Sequence, residues 1–137
     1  MSGAALARAA ETLVGTRFRL HGRDPSVGLD CVGLLAAALA SIGRPINLPS
    51  GYRLRNRTVD ALLPDPEPCG FVVTADVVSP GDIALVQAGP AQLHLAIAAG
   101  GGGWIHAHAG LRRVVHQPGP PPGPIIHRWR IAPAAED

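Results

Sequence analysis

The stretch Asp30-Cys-Val-Gly-Leu-Leu-Ala-Ala-Ala-Leu-Ala-Ser-Ile42 decides the fold, because it is apolar on nearly every side and has helix signals at both ends. Asp30 is a favourable N-cap residue, and Gly43 follows at the position where a helix ends. A helix that is apolar all round has no face for water and must be buried. It is also too short to cross a bilayer, which takes roughly 20 apolar residues. The sequence therefore predicts a central buried helix over residues 31–42.

The segments on either side of this helix differ in pattern. Residues 2–14 predict a first helix, with Ser2 as N-cap and Gly15 at its end, and a short helix is expected at 59–63. After Pro80 the chain changes to short β-compatible runs separated by Gly or Pro, which is typical of an antiparallel meander. The predicted strands are 83–87, 93–99, 104–108, 112–116 and 125–131, and the stiff connector before the last one lets it cross to another sheet position. Helices followed by strands indicate an α+β fold, with the helices packed on a C-terminal sheet in a single domain of residues 1–137.

The composition argues against several classes of protein. Twelve arginines and no lysine stand against ten acidic residues, and a formal charge of +2 gives no case for nucleic-acid binding. Two cysteines are too few for a disulfide scaffold. Arg8 and Glu11 interrupt the apolar run that a secretory leader needs, so we expect synthesis in the cytoplasm without a signal peptide. No cofactor and no membrane span are expected.

Cys31 is the first candidate for chemistry, because it lies in the first turn of the predicted buried helix. The free N–H groups and the positive dipole end at that position stabilise an anion, so we expect a thiol pKa below the usual value of about 8.5. The same N–H groups offer an oxyanion hole. The alternative is that Cys31 is a small buried apolar residue, as free cysteines often are.

Histidine is the second signal, since His94, His106, His108 and His116 all fall in strands of the predicted meander. Because alternate residues of a strand point to the same side, Trp104, His106 and His108 share one strand face. His94 shares a face of its own strand with Ala96 and Ala98. The glycine loop 100–103 decides how the two strands meet. A two-residue turn would send His94 and His106 to opposite faces, a loop centred on Gly100 would set them opposite each other, and one centred on Gly101 would pair His94 with His108. The residues alone leave all three registers open.

Two chemistries fit these residues. If His94 and His106 share a face near Cys31, they supply a nucleophile, a base and a group that orients the base. The rival is a zinc site, because His106 and His108 lie two residues apart on one strand face, and His94 or His116 could complete a ligand set. No CxxC or HExxH spacing supports zinc, and we expect no metal.

An ordered set of motifs resembles the NlpC-type cell-wall cysteine peptidases of the papain-like superfamily. The set comprises Leu13-Val-Gly-Thr-Arg-Phe-Arg-Leu-His-Gly, Gly28-Leu-Asp-Cys-Val-Gly-Leu-Leu, Ser79-Pro-Gly-Asp-Ile-Ala-Leu, His94-Leu-Ala-Ile-Ala and Trp104-Ile-His-Ala. No single motif is specific, but together they cover roughly residues 10–110 in the family's order. The set looks most like the compact versions found in phage tails and gene-transfer particles.

The resemblance implies roles for particular residues. Cys31 would be the nucleophile, His94 the general base and His106 the orienting residue, in the register that sets His94 opposite His106. His108 and His116 would then be structural. Two positions depart from the family: Phe18 stands where a tyrosine usually assists the oxyanion site, and Val32 stands for a small polar residue, altering a pocket wall.

The function implied by the resemblance is hydrolysis of an amide in peptidoglycan stem peptides, of the γ-D-glutamyl-diaminopimelate type. The enzyme would act at the cell wall or in the periplasm, with phage tail or particle proteins as partners. Asp30 could orient a substrate ammonium. Arginines flanking the helix are candidates for binding substrate carboxylates; they are Arg17, Arg19, Arg23, Arg44, Arg53, Arg55 and Arg57.

Two alternatives carry different expectations. A catalytically weak or inactive tail-assembly module would keep the fold for binding, as the departures at Phe18 and Val32 suggest. An amidase or acyltransferase would keep the chemistry and act on another substrate. The role of Cys69 is left open.

Overall fold

The computed structural model describes residues 3–44, 70–90 and 92–131. Within them, two helices flank a small hairpin and are followed by a six-stranded sheet. The elements are α1 (Gly3–Thr12), β1 (Arg23–Asp24), β2 (Gly28–Leu29), α2 (Cys31–Ser41), β3 (Phe71–Val73), β4 (Ile83–Gly89), β5 (Gln92–Ala98), β6 (Trp104–His108), β7 (Arg113–Gln117) and β8 (Ile125–Ile131). The expected helix at 59–63, the arginines Arg53, Arg55 and Arg57, and Cys69 lie outside the described residues.

Helix α2 begins at Cys31 because the side chain of Asp30 caps it. Asp30 Oδ1 accepts a hydrogen bond from the Gly33 N–H at 2.8 Å, as an N-cap carboxylate does. Its Oδ2 accepts a second one from the His21 N–H at 2.6 Å, which ties the preceding loop to the start of the helix. The observed helix confirms the prediction for residues 31–42 and ends one residue earlier.

The loop before α2 passes so close to the helix that only glycine fits at the contact. A Cβ on Gly33 would lie 1.9 Å from the carbonyl oxygen of Gly22, and one on Gly22 would lie 2.1 Å from the carbonyl oxygen of Gly28. Real Cβ atoms do not approach oxygens that closely, so a side chain at either position would push the loop away. These glycines set the distance between the loop and the first turn of α2.

The large sheet has the strand order β3-β8-β4-β5-β6-β7, and each neighbouring pair is antiparallel. Strands β4 to β7 form the predicted meander. The last strand then crosses back over the meander to pair with β4, which confirms the crossing expected from the proline-rich connector. Strand β3 pairs with β8 and was not expected from the sequence, because it has only three residues.

Both helices pack on the same face of this sheet. Leu6 of α1 and the leucines of α2 belong to one core with alternate residues of β4, β5 and β6. Each fully buried side chain contributes about 1.5 to 3 kcal/mol. The largest are Leu6, Leu29, Leu34, Leu35, Leu39, Ile83, Leu85, Leu95, Ile97 and Ile105. The predicted α+β arrangement is confirmed. No helix among the described residues is long and apolar enough to cross a membrane.

A buried carboxylate fastens β8 to the turn before β4. Asp82 has no exposed surface and accepts hydrogen bonds from the Ser79 N–H at 3.0 Å and from Arg130 Nε at 2.8 Å. The Arg128 guanidinium binds the same carboxylate. Burial raises the pKa of Asp82, but the hydrogen bonds from Arg130, Ser79 and Arg128 outweigh it and hold the pKa below the usual value. The Pro-Gly-Asp turn is therefore a structural anchor.

We predict that Asp82→Asn lowers the free energy of unfolding by about 3 kcal/mol, because two partly buried arginines lose their counter-charge. The matched control is Asp76→Asn, since Asp76 is 82% exposed and lies 3.6 Å from Arg130. That change should cost less than about 1 kcal/mol. Urea unfolding of both variants measures the difference, and equal losses would contradict the anchor role of Asp82.

Candidate active site

A cavity of about 490 Å³ lies where the first turn of α2 meets the ends of β5, β6 and β7. The loop between α1 and α2, residues 13–30, is called the approach loop and contributes one wall through Phe18 and Leu20. The proline-rich segment before β8 contributes another. Its polar lining includes Asp30, Cys31, Gln92, His94, His106, His108 and Gln117. The cavity thus collects the proposed nucleophile, the proposed base and the proposed orienting residue.

Cys31 is the first residue of α2 and is 9% exposed. Burial raises the pKa of its thiol to about 12, and the neighbouring Asp30 carboxylate adds to the rise. Backbone hydrogen bonds from Leu95, Val32 and Cys31 itself act in the other direction but are too weak to compensate. The expectation of a lowered thiol pKa is therefore wrong for this structure, because removal of the thiolate from water outweighs the helix terminus.

The strands carrying His94 and His106 meet in a register centred on Gly101. Ile97 pairs with Ile105 and Ala98 with Trp104. Continued toward the cavity, this register sets His94 opposite His108, so the expectation that His94 and His106 are directly opposite is wrong. His94 and His106 nevertheless share a face, because His106 lies two residues from His108 and side chains two residues apart on a strand point to the same side. His94 and His106 are therefore diagonal neighbours, which imidazole side chains can bridge.

A chain of hydrogen bonds joins the two imidazoles to a glutamine. His94 Nε2 lies 3.0 Å from His106 Nδ1, and His106 Nε2 lies 3.1 Å from Gln117 Oε1. The rings of His94 and His106 meet edge to face, with centroids 5.1 Å apart. Cys31 lines the same cavity but makes no hydrogen bond to His94 in the described structure. His94 and His106 of the proposed triad are therefore hydrogen-bonded to each other, whereas Cys31 and His94 only line the same cavity.

Burial keeps both imidazoles neutral. It lowers the pKa of His94 to about 3, with further lowering by the nearby His106 and His108. The pKa of His106 is also lowered, chiefly by burial, although the hydrogen bond to Gln117 opposes this. At neutral pH the cavity therefore holds an uncharged thiol beside uncharged imidazoles, which differs from a thiolate–imidazolium pair.

The rival interpretation, a zinc site, finds no geometric support in the part of the chain that the structure describes. In that part, no group of three His, Cys, Asp or Glu side chains is arranged to hold a metal ion. His108 Nδ1 instead accepts the Leu111 N–H at 3.0 Å in the turn after β6. His116 Nε2 lies 2.8 Å from the carbonyl oxygen of Gly102, in the glycine loop.

Residues 15–119 match the model of the NlpC/P60 family, which is more than half of the chain. This chain belongs to the NlpC/P60 family. Its members are cysteine peptidases and hydrolases, and peptidoglycan is the substrate associated with the family. A comparison with curated proteins finds no match.

Solved structures agree with this assignment. The crystal structure of the NlpC/p60 domain of peptidoglycan hydrolase SagA is 28% identical, with a TM-score of 0.57 over 83% of this chain and 86% of that one. NlpC1 and NlpC2 from Trichomonas vaginalis are 23% and 22% identical, each with a TM-score of 0.68 over 93% of this chain. This NlpC/P60 chain spans 44% and 46% of those two chains, which share its fold.

The two positions that depart from the family pattern lie in different surroundings. Phe18 is half-buried and lines the cavity with an aromatic ring that has no hydroxyl group. Val32 has no exposed surface and packs in the core under α2. The expectation that Val32 alters a pocket wall is therefore wrong, because the second residue of the helix points away from the cavity.

The proposed arginine contacts do not line the cavity. Arg17 and Arg19 are exposed, Arg23 is half-buried in β1, and Arg44 follows α2. The described cavity lining contains no arginine at all. The proposed contact of these side chains with substrate carboxylates stays a prediction. The predicted Asp30 lines the cavity, but both of its carboxylate oxygens already accept backbone hydrogen bonds.

Sequence reasoning missed Gln117 and treated His108 as purely structural. Both line the cavity, and Gln117 extends the hydrogen-bond chain from His106. Strand alternation could have indicated Gln117, because the β6–β7 pairing sets Trp104 opposite it on the face that carries His106. The missing information was the register of β7, which no motif in this region fixes.

We predict that the NlpC/P60 domain loses stability as the pH falls from about 6.5 toward 3. The unfolded chain takes up a proton on His94 in this range and the folded chain does not, so each pH unit costs up to about 1.4 kcal/mol. His94→Gln should flatten this slope, although His106 will keep part of it. Urea unfolding at several pH values measures the slope. His127→Gln, at an exposed histidine of β8, should leave it unchanged, and an unchanged slope in His94→Gln would contradict the prediction.

Proposed function

We propose that this chain is a cysteine endopeptidase that hydrolyses an amide bond in peptidoglycan stem peptides, of the γ-D-glutamyl-diaminopimelate type. The observation that carries the proposal is the set formed by Cys31, His94 and His106 around one cavity in an NlpC/P60 fold. The peptidoglycan hydrolase SagA, 28% identical over 83% of this chain, supports the same substrate class.

The proposed reaction uses Cys31 as nucleophile and His94 as general base. As the substrate carbonyl carbon is attacked by Sγ, the thiol proton passes to the His94 ring, and the N–H groups at the start of α2 face the developing oxyanion. Collapse of the tetrahedral intermediate breaks the C–N bond, and the proton on His94 goes to the leaving amine. Water, deprotonated by His94, then hydrolyses the thioester and regenerates the thiol.

His106 is proposed to orient His94 through the 3.0 Å hydrogen bond between their rings. Because the Cys31 thiol and the two imidazoles are uncharged at rest, proton transfer has to accompany attack rather than precede it. This requires direct contact between Cys31 and His94 in the substrate complex, and catalytic hydrogen bonds commonly shorten when substrate binds.

The proposal includes where the enzyme acts. We place its activity at the cell wall or in the periplasm, with delivery by a phage or phage-like particle and tail proteins as partners. This part is supported by the resemblance of the motif set to compact phage versions of the family.

A catalytically weak module of the same fold is the second candidate, and one observation favours it. Cys31 is buried, its thiol pKa is raised to about 12, and it makes no hydrogen bond to His94 in the described structure. Transfer of a proton from such a thiol to a ring with a pKa of about 3 is strongly uphill without substrate. In this candidate the cavity binds stem peptide without cleaving it.

We predict that Cys31→Ala reduces release of peptide fragments from purified peptidoglycan by about a thousandfold or more, since the nucleophile is lost. Cys69→Ala is the matched control and should retain activity, because the proposed reaction gives Cys69 no part. Mass spectrometry of the fragments identifies the bond that is cut. Equal digestion by Cys31→Ala and the parent would reject the peptidase. Binding of muropeptides without cleavage by the parent would favour the weak module, and turnover restricted to other amides or esters would favour an amidase or acyltransferase.

We further predict how Cys31 reacts with iodoacetamide in the absence of substrate. The rate should rise about tenfold per pH unit from pH 6 to 10 without reaching a plateau, because the thiolate fraction grows toward a pKa of about 12. Peptide mapping separates the modification of Cys31 from that of Cys69. A fast reaction that is already constant between pH 6 and 8 would instead indicate a preformed thiolate–imidazolium pair.

A further inference from the structure

We propose that Gln117 is a positioning residue that fixes the tautomers of His106 and His94, so that Nδ1 of His94 is the free base of the site. The inference rests on the proposed function for its catalytic meaning, because it identifies the atom that takes the thiol proton. Its structural content stands on the hydrogen bonds at both ends of the Gln117 amide.

The orientation of the Gln117 amide follows from the acceptor on its far side. Gln117 Nε2 donates to the carbonyl oxygen of Pro120 at 3.1 Å. A carbonyl oxygen only accepts, so the NH₂ group has to face Pro120 and the amide oxygen has to face His106. The chain can turn back in this way because Gly119 has a φ of +81°.

The direction of the hydrogen bonds in the two imidazoles follows from that orientation. Gln117 Oε1 only accepts, so the proton of neutral His106 lies on Nε2, 3.1 Å away. His106 Nδ1 then has a lone pair and accepts from His94 Nε2 at 3.0 Å. A neutral imidazole carries one proton, so His94 Nδ1 is left bare and able to take another.

Without Gln117, the two rings have a second arrangement that would disable the base. His106 Nδ1 could donate to His94 Nε2, and His94 would then carry its proton on Nδ1. The burial that keeps the two rings neutral does not choose between these arrangements. Gln117 makes the choice, because its amide oxygen accepts a hydrogen bond from an Nε2–H of His106 that only one of the two arrangements has.

Two substitutions of Gln117 are expected to affect kcat in an unusual order. Gln117→Leu removes the acceptor and lets both arrangements form, so we expect about a tenfold loss in kcat. Gln117→Glu keeps an acceptor but adds a negative charge that draws a second proton onto His106. Both nitrogens of His106 then donate, His94 Nε2 has to accept, and His94 Nδ1 holds the proton. The conservative change should therefore be the more harmful at pH 7, by about a hundredfold in kcat.

The pH profile separates this role from a structural one. The other titratable groups around the cavity are Asp30, Cys31, His94 and His108. All of them are present in the parent, so a new titration in Gln117→Glu belongs to the pair formed by the new carboxylate and His106. We expect the variant to gain activity as the pH rises through that titration, with kcat affected more than KM.

The experiment uses the full chain labelled with ¹⁵N at histidine, with nitrogen chemical shifts reading the proton on each ring. The parent should show Nε2-protonated tautomers for His94 and His106, Gln117→Leu a mixture, and Gln117→Glu a doubly protonated His106 near pH 7. Gln87→Leu and Gln87→Glu are matched controls. Gln87 is a half-buried sheet glutamine that donates to Gly89 and lies outside the cavity lining, so its changes should leave tautomers and kcat unaltered.

The outcomes separate this inference from the proposed function. Protonation of Nδ1 on His94 in the parent would overturn the inference, as would unchanged tautomers in Gln117→Leu; the parent spectrum decides even if that variant does not fold. If the tautomers behave as expected but peptidoglycan is not cleaved, the positioning role of Gln117 stands and the peptidase proposal fails. In an active enzyme, identical pH profiles for Gln117→Glu and the parent would also overturn the inference.

Discussion

The Asp30 carboxylate fixes the position of Cys31 at the edge of the cavity. One of its oxygens accepts the Gly33 N–H inside the first turn of α2, and the other accepts the His21 N–H of the approach loop. Because Asp30 is 2% exposed, neither hydrogen bond competes strongly with water. The carboxylate thereby starts the helix, holds the loop that carries Phe18, and fixes the backbone directly before Cys31. Together with backbone hydrogen bonds from the Phe18 N–H to the Arg112 carbonyl oxygen and from the Arg19 N–H to the Leu29 carbonyl oxygen, that side chain holds the cavity wall on this side.

The same burial that makes the anchor rigid sets the electrostatic character of the site. A carboxylate beside Cys31 and a thiol removed from water both disfavour a resting thiolate. Across the cavity, His94 is held neutral by its own burial and by two neighbouring imidazoles. The thiol and the two imidazoles are therefore uncharged at neutral pH. In the proposed reaction, a bound peptide would therefore have to bring Sγ of Cys31 and the His94 ring together.

The extent to which the sequence predicted this structure follows from the range of the interactions involved. Helix α2, its Asp30 cap and strands β4 to β8 rest on local patterns, and the structure confirms them. The family resemblance predicted that Cys31, His94 and His106 belong to one site, and all three line the same cavity.

What the sequence failed to predict depends on the environment and on register. The pKa of Cys31 depends on how much water reaches it, which the helix position alone does not fix. The surroundings of Val32 and the arginines required knowing which way the loop and the first turn face. Gln117 required the pairing of β6 with β7. Each of these is a long-range property, in contrast to the caps and alternations that were predicted correctly.

The glycine loop between β5 and β6 constrains how this chain can vary in length. Its composition is permissive only at Gly101, where a Cβ would meet nothing within 4 Å, because Gly102 and Gly103 have φ of +98° and +79° and a Cβ on Gly103 would lie 2.6 Å from the Gln117 carbonyl oxygen. Its residue count is restricted by parity. Gain or loss of one residue in the loop would turn every later side chain of β6 to the opposite face and take His106 away from His94. Gain or loss of two would restore the face. Related chains that keep this pair of histidines should therefore differ in the length of this loop by even numbers of residues. The parity of the loop length indicates a shared site, and percentage identity does not report it.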